Sequence, residues 1–283
     1  MRLYTYAFAL AFAPLYAQQP ALKLPDHVVL ESNISYAPYK QTVLDVVRPR
    51  ETSAAKRPGV IVIHGGGWVN HTITKESQMP TCLRYVEKGF VCATVEYRLA
   101  DVATAPAAVT DVLQAARWFF KNAQKYNVDT KRVVVTGGSA GGHLCLMVGM
   151  TPESAKLGPP AKVRAVVNFY GITDVSDLLQ GEHMRQWAVT WVPEQPGRAA
   201  LAKRVSPMTY VRKGLPPILT LHGDADSTVP YEHGVAITKA LQAAGNTAQL
   251  VTVPGGNHGF PPQTVDQIYN RDIWPFLKKA GVL

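Results

Sequence analysis

The chain has 283 residues, 47% of them hydrophobic, and its 29 Lys and Arg against 20 Asp and Glu leave a formal net charge of +9. This size suits a single α/β domain with a substantial core, and no low-complexity segment or internal repeat is present. Because the basic residues are scattered along the chain, the composition excludes a nucleic-acid-binding arm and leaves solubility as the role of the charge.

The chain begins with a segment typical of secretory signal peptides. Arg2 precedes the apolar stretch Leu3–Tyr16, and the small residue Ala17 comes just before Gln18. We predict a signal peptide over residues 1–17, cleavage after Ala17, and a secreted or periplasmic mature protein. A membrane-anchored start is the alternative, but the apolar stretch is shorter than the roughly 20 residues of a membrane span, so no stable membrane insertion is expected.

Strand and helix patterns alternate along the remainder, 18–283, which we predict to be one catalytic domain. Two short strands at 27–35 and 42–47, with a turn at Tyr39-Lys40-Gln41, predict an antiparallel hairpin at a sheet edge. The alternation beyond them predicts a mostly parallel sheet with helices on both faces. The further predicted strands are 60–63, 90–96, 132–136, 164–169, 218–221 and 250–253, and the predicted helices are 75–88, 106–126 and 140–150.

A run of glycines follows the apolar strand at 60–63. The residues there are His64-Gly65-Gly66-Gly67-Trp68. Backbone N–H groups approach a ligand atom closely only where no side chain blocks them, so consecutive glycines suit a site for the negative oxygen formed in acyl transfer. The alternative is a flexible glycine turn.

A second glycine-rich turn, Gly137-Gly138-Ser139-Ala140-Gly141, lies between a predicted strand and a predicted helix. This context is typical of a serine nucleophile elbow, whereas the bare Gly-x-Ser-x-Gly pattern occurs often by chance. We expect Gly141 and Gly142 to let the first turn of the helix approach the sheet closely, so that a bulky residue at Gly141 would clash.

The last two predicted strands are each followed by residues that can assist a nucleophilic serine. Asp224 and Asp226 follow the first of these strands, and His258 follows the second. The resulting chain order of Ser139, an aspartate and His258 is the order of the α/β-hydrolase triad, and it differs from the orders in chymotrypsin-like and subtilisin-like enzymes.

Together these motifs resemble the α/β-hydrolase esterases and lipases that carry His-Gly-Gly-Gly-Trp, among them the hormone-sensitive-lipase-like and the feruloyl and acetylxylan esterase families. The resemblance covers residues 28–280 and implies the α/β-hydrolase fold. It implies Ser139 as nucleophile, His258 as general base and Asp226 as the acid that orients it. Asp226 is preferred over Asp224 because it stands three residues before the valine of a His-Gly-x-x-Asp-x-x-Val pattern.

The same resemblance implies that the backbone N–H groups of Gly66, Gly67 and Ala140 form an oxyanion hole. It implies ester hydrolysis through an acyl-enzyme on short acyl esters, without a metal or an organic cofactor, and acetyl and feruloyl esters of plant polysaccharide are candidate natural substrates. The alternative is an amide hydrolase of the same fold, either a serine peptidase or an arylformamidase-like enzyme. A non-catalytic binding module of this fold is disfavoured because such proteins typically lack part of the triad.

The segment at about 175–212 shows no obvious strand, and we predict it to be a small cap insertion. Ligands of α/β folds bind at the carboxyl ends of the strands, where an insertion can cover the nucleophile. Candidate substrate contacts are the aromatic side chains Trp68, Tyr170, Trp187 and Trp191. For each of them the alternative is an aromatic residue packed in the core.

The chain has three cysteines, Cys82, Cys92 and Cys145. An odd number leaves at least one unpaired in a monomer, and no disulfide framework is expected. We predict Cys92 and Cys145 to be free thiols that serve as small buried hydrophobes, with a Cys82–Cys92 bridge as the less favoured alternative. The histidines do not fall at zinc spacing, so no metal site is expected.

Overall fold

The computed structural model describes residues 24–283, and the predicted signal peptide at 1–17 lies outside the described residues. An eight-stranded sheet forms the centre of this described part, with the strand order β1-β2-β4-β3-β5-β6-β7-β8. The strands are β1 (Val28–Ser35), β2 (Val43–Pro49), β3 (Arg57–Ile63), β4 (Val91–Val95), β5 (Val128–Gly138), β6 (Ala165–Phe169), β7 (Ile218–Gly223) and β8 (Ala248–Val253).

The sheet is parallel except at one edge. Strand β2 runs antiparallel to both β1 and β4, while every neighbouring pair from β4 to β8 is parallel. The edge hairpin closes through a hydrogen bond from the Thr42 N–H to the Tyr39 carbonyl, 3.0 Å long. The predicted hairpin and the mostly parallel sheet are therefore confirmed, and the carboxyl ends of β3 and β5 to β8 meet at one edge.

Strand β3 shows why the central strands carry uninterrupted apolar runs. Its residues Ile61 and Ile63 belong to the core on one face of the sheet, whereas Val60 and Val62 belong to the core on the other. All four side chains are fully buried. A strand covered by helices on both faces has no solvent side, so the polar and apolar alternation of an exposed strand is lost.

Helices cover both faces. They are α1 (Met79–Val86), α2 (Ala107–Lys121), α3 (Ala140–Met150), α4 (Gln186–Trp191), α5 (Arg198–Arg204), α6 (Glu232–Ala243), α7 (Pro262–Ile268) and α8 (Trp274–Lys279). Residues of α2, α3 and α6 pack in the core with Ile61, and residues of α1 and α8 pack in the core with Val60. No helix between residues 24 and 283 is both long enough and apolar enough to cross a membrane.

The helix predicted at 75–88 begins differently from the prediction. Residues Lys75–Gln78 form a 3-10 turn, and the α-helix starts only at Met79 with Pro80 in its first turn. Proline has no backbone N–H, so it fits the first turn of a helix but breaks the hydrogen-bond ladder further inside it. The position of Pro80 therefore decides where α1 begins.

A disulfide joins Cys82 on α1 to Cys92 on β4, with their α-carbons 5.5 Å apart. The prediction of a free Cys92 is therefore wrong, whereas Cys145 is free and buried as predicted. Both bonded residues lie in the core between α1 and the sheet, and a cross-link closing a loop of this size typically stabilises a fold by about 3 kcal/mol. Packing of α1 onto β4 brings the two sulfurs together, which their spacing in the sequence does not reveal.

The chain between β6 and β7 contains the predicted cap segment. It forms two short helices, α4 and α5, and two 3-10 turns at Ser176–Leu179 and Pro207–Tyr210, without a strand. Helix α4 lies against the glycine run, because a side chain added to Gly67 would contact the Trp187 ring at 3.2 Å. This segment thus supplies one wall beside the carboxyl ends of the strands.

Candidate active site

Ser139 occupies the sharp turn between β5 and α3. Its backbone has φ of 58° and ψ of −123°, and its N–H donates to the Phe169 carbonyl at 3.0 Å. A positive φ at a residue other than glycine stores strain, and such residues cluster at functional sites. A Cβ on Gly141 would overlap the carbonyl oxygens of Ile63 and His64. Glycine at this position lets α3 start against the sheet, which presents Ser139 at the edge where the strands end.

Asp226 and His258 form a hydrogen-bonded pair on the loops after β7 and β8. Nδ1 of His258 lies 2.8 Å from Oδ2 of Asp226, and the exposed fractions of their side chains are 20% and 0%. The second oxygen of Asp226 accepts the N–H groups of Thr228 and Val229 at 2.8 and 2.9 Å. A carboxylate only accepts hydrogen bonds, so Nδ1 of His258 carries the proton and Nε2 is left with a free lone pair, as a general base requires.

The structure distinguishes between the two candidate aspartates. Asp224 is exposed, and one of its carboxylate oxygens accepts the N–H of Gly255 at 2.6 Å. Its hydrogen bond therefore closes the turn after β8 and does not reach the imidazole. Asp226 is the aspartate whose carboxylate contacts His258, in agreement with the preference taken from the resemblance.

His222, at the end of β7, is a third group on Asp226. Its Nε2 lies 3.3 Å from Oδ2 of Asp226 and 3.1 Å from the Val229 carbonyl oxygen, and its side chain is fully buried. Burial raises the pKa of Asp226, but hydrogen bonds from His222, His258 and the Val229 N–H outweigh burial and hold this pKa well below its usual range. Asp226 is thus a carboxylate throughout the pH range in which a histidine titrates.

Asn257 joins the two loops, and the sequence interpretation did not single it out. Its Oδ1 accepts the N–H of His258 at 2.7 Å and both the N–H and the hydroxyl of Ser227 at 3.0 Å. The loop that carries Asp226 is thereby fastened to the loop that carries His258. Its place directly before His258 was the only signal in the sequence, and that signal does not distinguish an organising side chain from a turn residue.

The glycine run forms a loop beside Ser139, which we call the oxyanion loop and define as residues 64–68. Gly66 and Gly67 have φ of 102° and 57°, values that L side chains rarely adopt. Neither N–H group donates a hydrogen bond within residues 24–283. Ala140 is the first residue of α3, so its N–H has no partner one turn earlier in the helix. These three N–H groups are available to an oxygen bound next to Ser139.

Buried polar contacts hold the oxyanion loop in place. The two ring nitrogens of His64 lie 2.8 Å from the Gly65 carbonyl oxygen and 3.0 Å from a carboxylate oxygen of Glu96. The Tyr97 ring stacks on His64 with centroids 4.2 Å apart, and its hydroxyl donates to the carbonyls of His64 and Gly65. The buried side chain of His64 therefore holds the oxyanion loop in position.

Ser139 and His258 line one cavity of about 530 Å³. Gly66, Gly67, Tyr170 and Trp187 also line it, as does Tyr269, which belongs to the same core cluster as residues of α1. The Ser139 hydroxyl and His258 are not joined by a hydrogen bond in this state, as is common before a substrate is bound. The cavity thus brings Ser139, His258 and the glycines Gly66 and Gly67 to one space.

Two of the four aromatic candidates do not reach the cavity. Trp68 and Trp191 are both fully buried and stack on each other with centroids 4.0 Å apart. Their prediction as substrate contacts is corrected, because the packing of α4 against the oxyanion loop uses both rings as core. Trp187 and Tyr170 line the cavity as expected of substrate contacts. One turn of α4 thus separates a packed tryptophan from one that faces the cavity.

Comparison with protein-family models matches the BD-FAE family over residues 44–241. The chain belongs to the BD-FAE family. This range includes the oxyanion loop, Ser139 and Asp226, whereas His258 follows it. The resemblance to α/β-hydrolase esterases stated from the motifs is confirmed, and so is the fold.

Relatives of this BD-FAE protein include esterases. Esterase LipQ of Mycobacterium tuberculosis is 30% identical over 246 residues, which are 81% of this chain and 57% of LipQ. The chain thus spans little more than half the length of the curated relatives LipQ, LipM and LipC.

Solved structures resemble the chain over nearly its whole described length. A truncated carbohydrate esterase from gut microbiota superposes with a TM-score of 0.75 at 26% identity, covering 90% of this chain and 97% of that one. Thermogutta terrifontis esterase 2 phosphoramylated by tabun superposes with a TM-score of 0.75 at 26% identity, covering 91% and 96% of the two chains.

Among residues 24–283, no cluster of three or more His, Cys, Asp or Glu side chains is arranged to hold a metal ion.

Proposed function

We propose that the protein is a serine carboxylic-ester hydrolase that acts through an acyl-enzyme on short acyl esters. One observation carries the proposal: the elbow serine, a histidine already oriented by Asp226, and Gly66 and Gly67 of the oxyanion loop all line one cavity. The esterase relatives and structural neighbours support this assignment.

The geometry supports the following mechanism. Nε2 of His258 takes the Ser139 proton as the serine oxygen attacks the ester carbonyl carbon. The N–H groups of Gly66, Gly67 and Ala140 donate to the resulting oxyanion, and one such donor typically contributes about 3 kcal/mol. Collapse releases the alcohol, which receives the proton from His258. Water activated by the same histidine then releases the acid.

An oxyanion hole can serve esters and amides alike, so the amide-hydrolase alternative must be tested on substrates. We expect turnover of 4-nitrophenyl acetate to exceed that of a dipeptide 4-nitroanilide and of N-formylkynurenine by at least about 100-fold in kcat/KM. Initial rates with the three substrates under one set of conditions measure this. Faster hydrolysis of either amide would replace the ester hydrolase with a peptidase or an arylformamidase-like enzyme.

For the natural substrate, we propose acetyl or feruloyl esters of plant polysaccharide. The support is the partly buried Trp187 ring that lines the cavity, which can stack on a sugar or an aromatic acid, together with the carbohydrate esterase among the structural neighbours. Acetylated xylan and methyl ferulate belong in the same assay, beside 4-nitrophenyl esters from acetate to decanoate. Faster hydrolysis of the long-chain 4-nitrophenyl esters than of acetylated xylan and methyl ferulate would contradict this part of the proposal.

We also propose that the protein is exported. The Cys82–Cys92 disulfide supports an oxidising compartment, since such bonds are rare in a reducing cytosol. Mass spectrometry of the exported protein is expected to show a chain that begins at Gln18, with Cys82 and Cys92 protected from alkylation until a reductant is added. An Ala17→Phe variant, which loses the small residue at the cleavage site, should retain its N-terminal segment. A wild-type chain that starts elsewhere, or that is alkylated at Cys82 without reductant, would contradict export by this route.

A further inference from the structure

Tyr170 lies at the cavity wall in an unusual backbone conformation. It follows β6 directly and has φ of 38°, and its N–H donates to the Leu221 carbonyl at 2.7 Å. Its ring packs against the His258 imidazole with centroids 4.7 Å apart and against Phe260 with centroids 5.3 Å apart. The strained turn and these two contacts hold the ring in one position next to the general base.

The Tyr170 hydroxyl lies beside the residue that precedes the nucleophile. A methyl group added to Gly138 would sit 3.2 Å from the hydroxyl oxygen. No residue of the described range forms a hydrogen bond with this hydroxyl, although Tyr170 lines the cavity shared by Ser139 and His258. The group is therefore a hydrogen-bond donor available to a molecule in the cavity.

The hydroxyl approaches the nucleophile from a different direction than the oxyanion loop does. The oxyanion loop meets the elbow through Gly65, which packs against the Gly138 carbonyl oxygen and the Cβ of Ser139. Tyr170 instead lies between Gly138 and the imidazole of His258. The alcohol oxygen that departs from the carbonyl carbon must come within reach of His258, because this residue gives it a proton. A donor packed on His258 is thus placed for that oxygen.

We infer that the Tyr170 hydroxyl donates a hydrogen bond to the leaving-group oxygen, which makes Tyr170 a further catalytic residue. The inference rests on the ester hydrolysis proposed above. When the tetrahedral intermediate collapses, the bond between the carbonyl carbon and the alcohol oxygen breaks, and that oxygen receives the proton of the His258 imidazolium. The hydrogen bond from Tyr170 stabilises the negative charge that develops on the same oxygen, and Tyr170 keeps its own proton.

The ionisation state of Tyr170 agrees with this role. Burial, with a smaller contribution from the nearby Asp226 charge, raises the pKa of Tyr170 to about 12. The hydroxyl therefore keeps its proton at every pH at which His258 serves as a base.

The test compares two acetyl esters that differ only in the leaving alcohol. 4-Nitrophenolate is a stable anion and needs little help to depart, whereas ethoxide depends on donors. For Tyr170→Phe we expect kcat/KM to fall by about 10- to 100-fold with ethyl acetate and by no more than about threefold with 4-nitrophenyl acetate. Phenylalanine keeps the ring and its contacts with His258 and Phe260, so only the hydroxyl is removed.

Tyr126→Phe is the matched control. Its hydroxyl is bonded to Lys125 and Glu31, away from the cavity, so the ratio of the two kcat/KM values should equal that of the wild type. If Tyr170→Phe lowered kcat/KM equally for both esters, the hydroxyl would have a structural effect only. If it lowered kcat/KM for neither ester, the hydroxyl would have no effect on catalysis. Either result would overturn the inference. A wild type that hydrolyses neither ester would instead refute the proposed function.

Discussion

Ser139→Ala is expected to lower kcat for 4-nitrophenyl acetate by about 10⁴- to 10⁶-fold, as the loss of a triad serine does in other hydrolases. The remaining N–H donors and the cavity can still bind the ester, but no oxygen is left to form the acyl-enzyme. The fold should be unaffected, because the elbow is held by the backbone bond to Phe169 and by the glycines around Ser139. Steady-state rates and thermal melting of the purified variant measure both effects.

A fluorophosphonate probe gives an independent test of the same serine. The probe should label the wild type and fail to label Ser139→Ala, because only an activated serine reacts with it. Ser53→Ala is the matched control, since its hydroxyl bonds only the Ala55 carbonyl in the loop between β2 and β3. Labelling of Ser139→Ala, or residual hydrolysis within about 100-fold of the wild type, would exclude Ser139 as the nucleophile.

Asp226→Asn is expected to lower kcat by about 10⁴-fold while the chain still folds. One carboxylate oxygen accepts two backbone N–H groups, from Thr228 and Val229, so the amide oxygen of an asparagine must stay there. The amide NH₂ then points at His258 and donates to Nδ1. This places the imidazole proton on Nε2, which leaves no lone pair to accept the proton of Ser139. Single-turnover rates with 4-nitrophenyl acetate measure the loss.

Asp224→Asn is the matched control for this substitution. An asparagine oxygen at position 224 can still accept the Gly255 N–H, and the side chain does not reach the imidazole. Its kcat should remain within about threefold of the wild-type value. Equal losses in the two variants would show that the charge of this loop, rather than the contact with His258, supports activity.

Much of the fold could be predicted because its signals are local. The run Val60–Ile63 is apolar on every residue, which is typical of a strand covered on both faces, and the antiparallel edge hairpin follows from two short strands and a turn. The elbow and the oxyanion loop were also recognisable, since the glycines that permit close approach stand next to the residues they serve. Local patterns were less reliable at boundaries, where Pro80 delays the start of α1.

The choice between side chains that are close in sequence depended on the assembled structure. The residues alone left Asp224 and Asp226 both open, and the turn after β7 decides that only Asp226 contacts His258. Trp187 and Trp191 share one helical face, yet the first lines the cavity and the second is buried against Trp68. Such outcomes depend on which neighbouring element covers each position, and the chain's own periodicity does not contain that information.

Local patterns were enough to predict the α/β architecture, the resemblance to α/β-hydrolase esterases and the candidates Ser139, Asp226 and His258, because strand patterns, glycine turns and motifs are properties of adjacent residues. Packing between elements instead accounts for the Cys82–Cys92 bond, the burial of Trp68 and Trp191, and the placement of Tyr170 and Asn257 around His258. Most of these contacts join different helices, strands or loops. They form where helices and loops pack onto the sheet, and that packing sets the distances on which the chemistry depends.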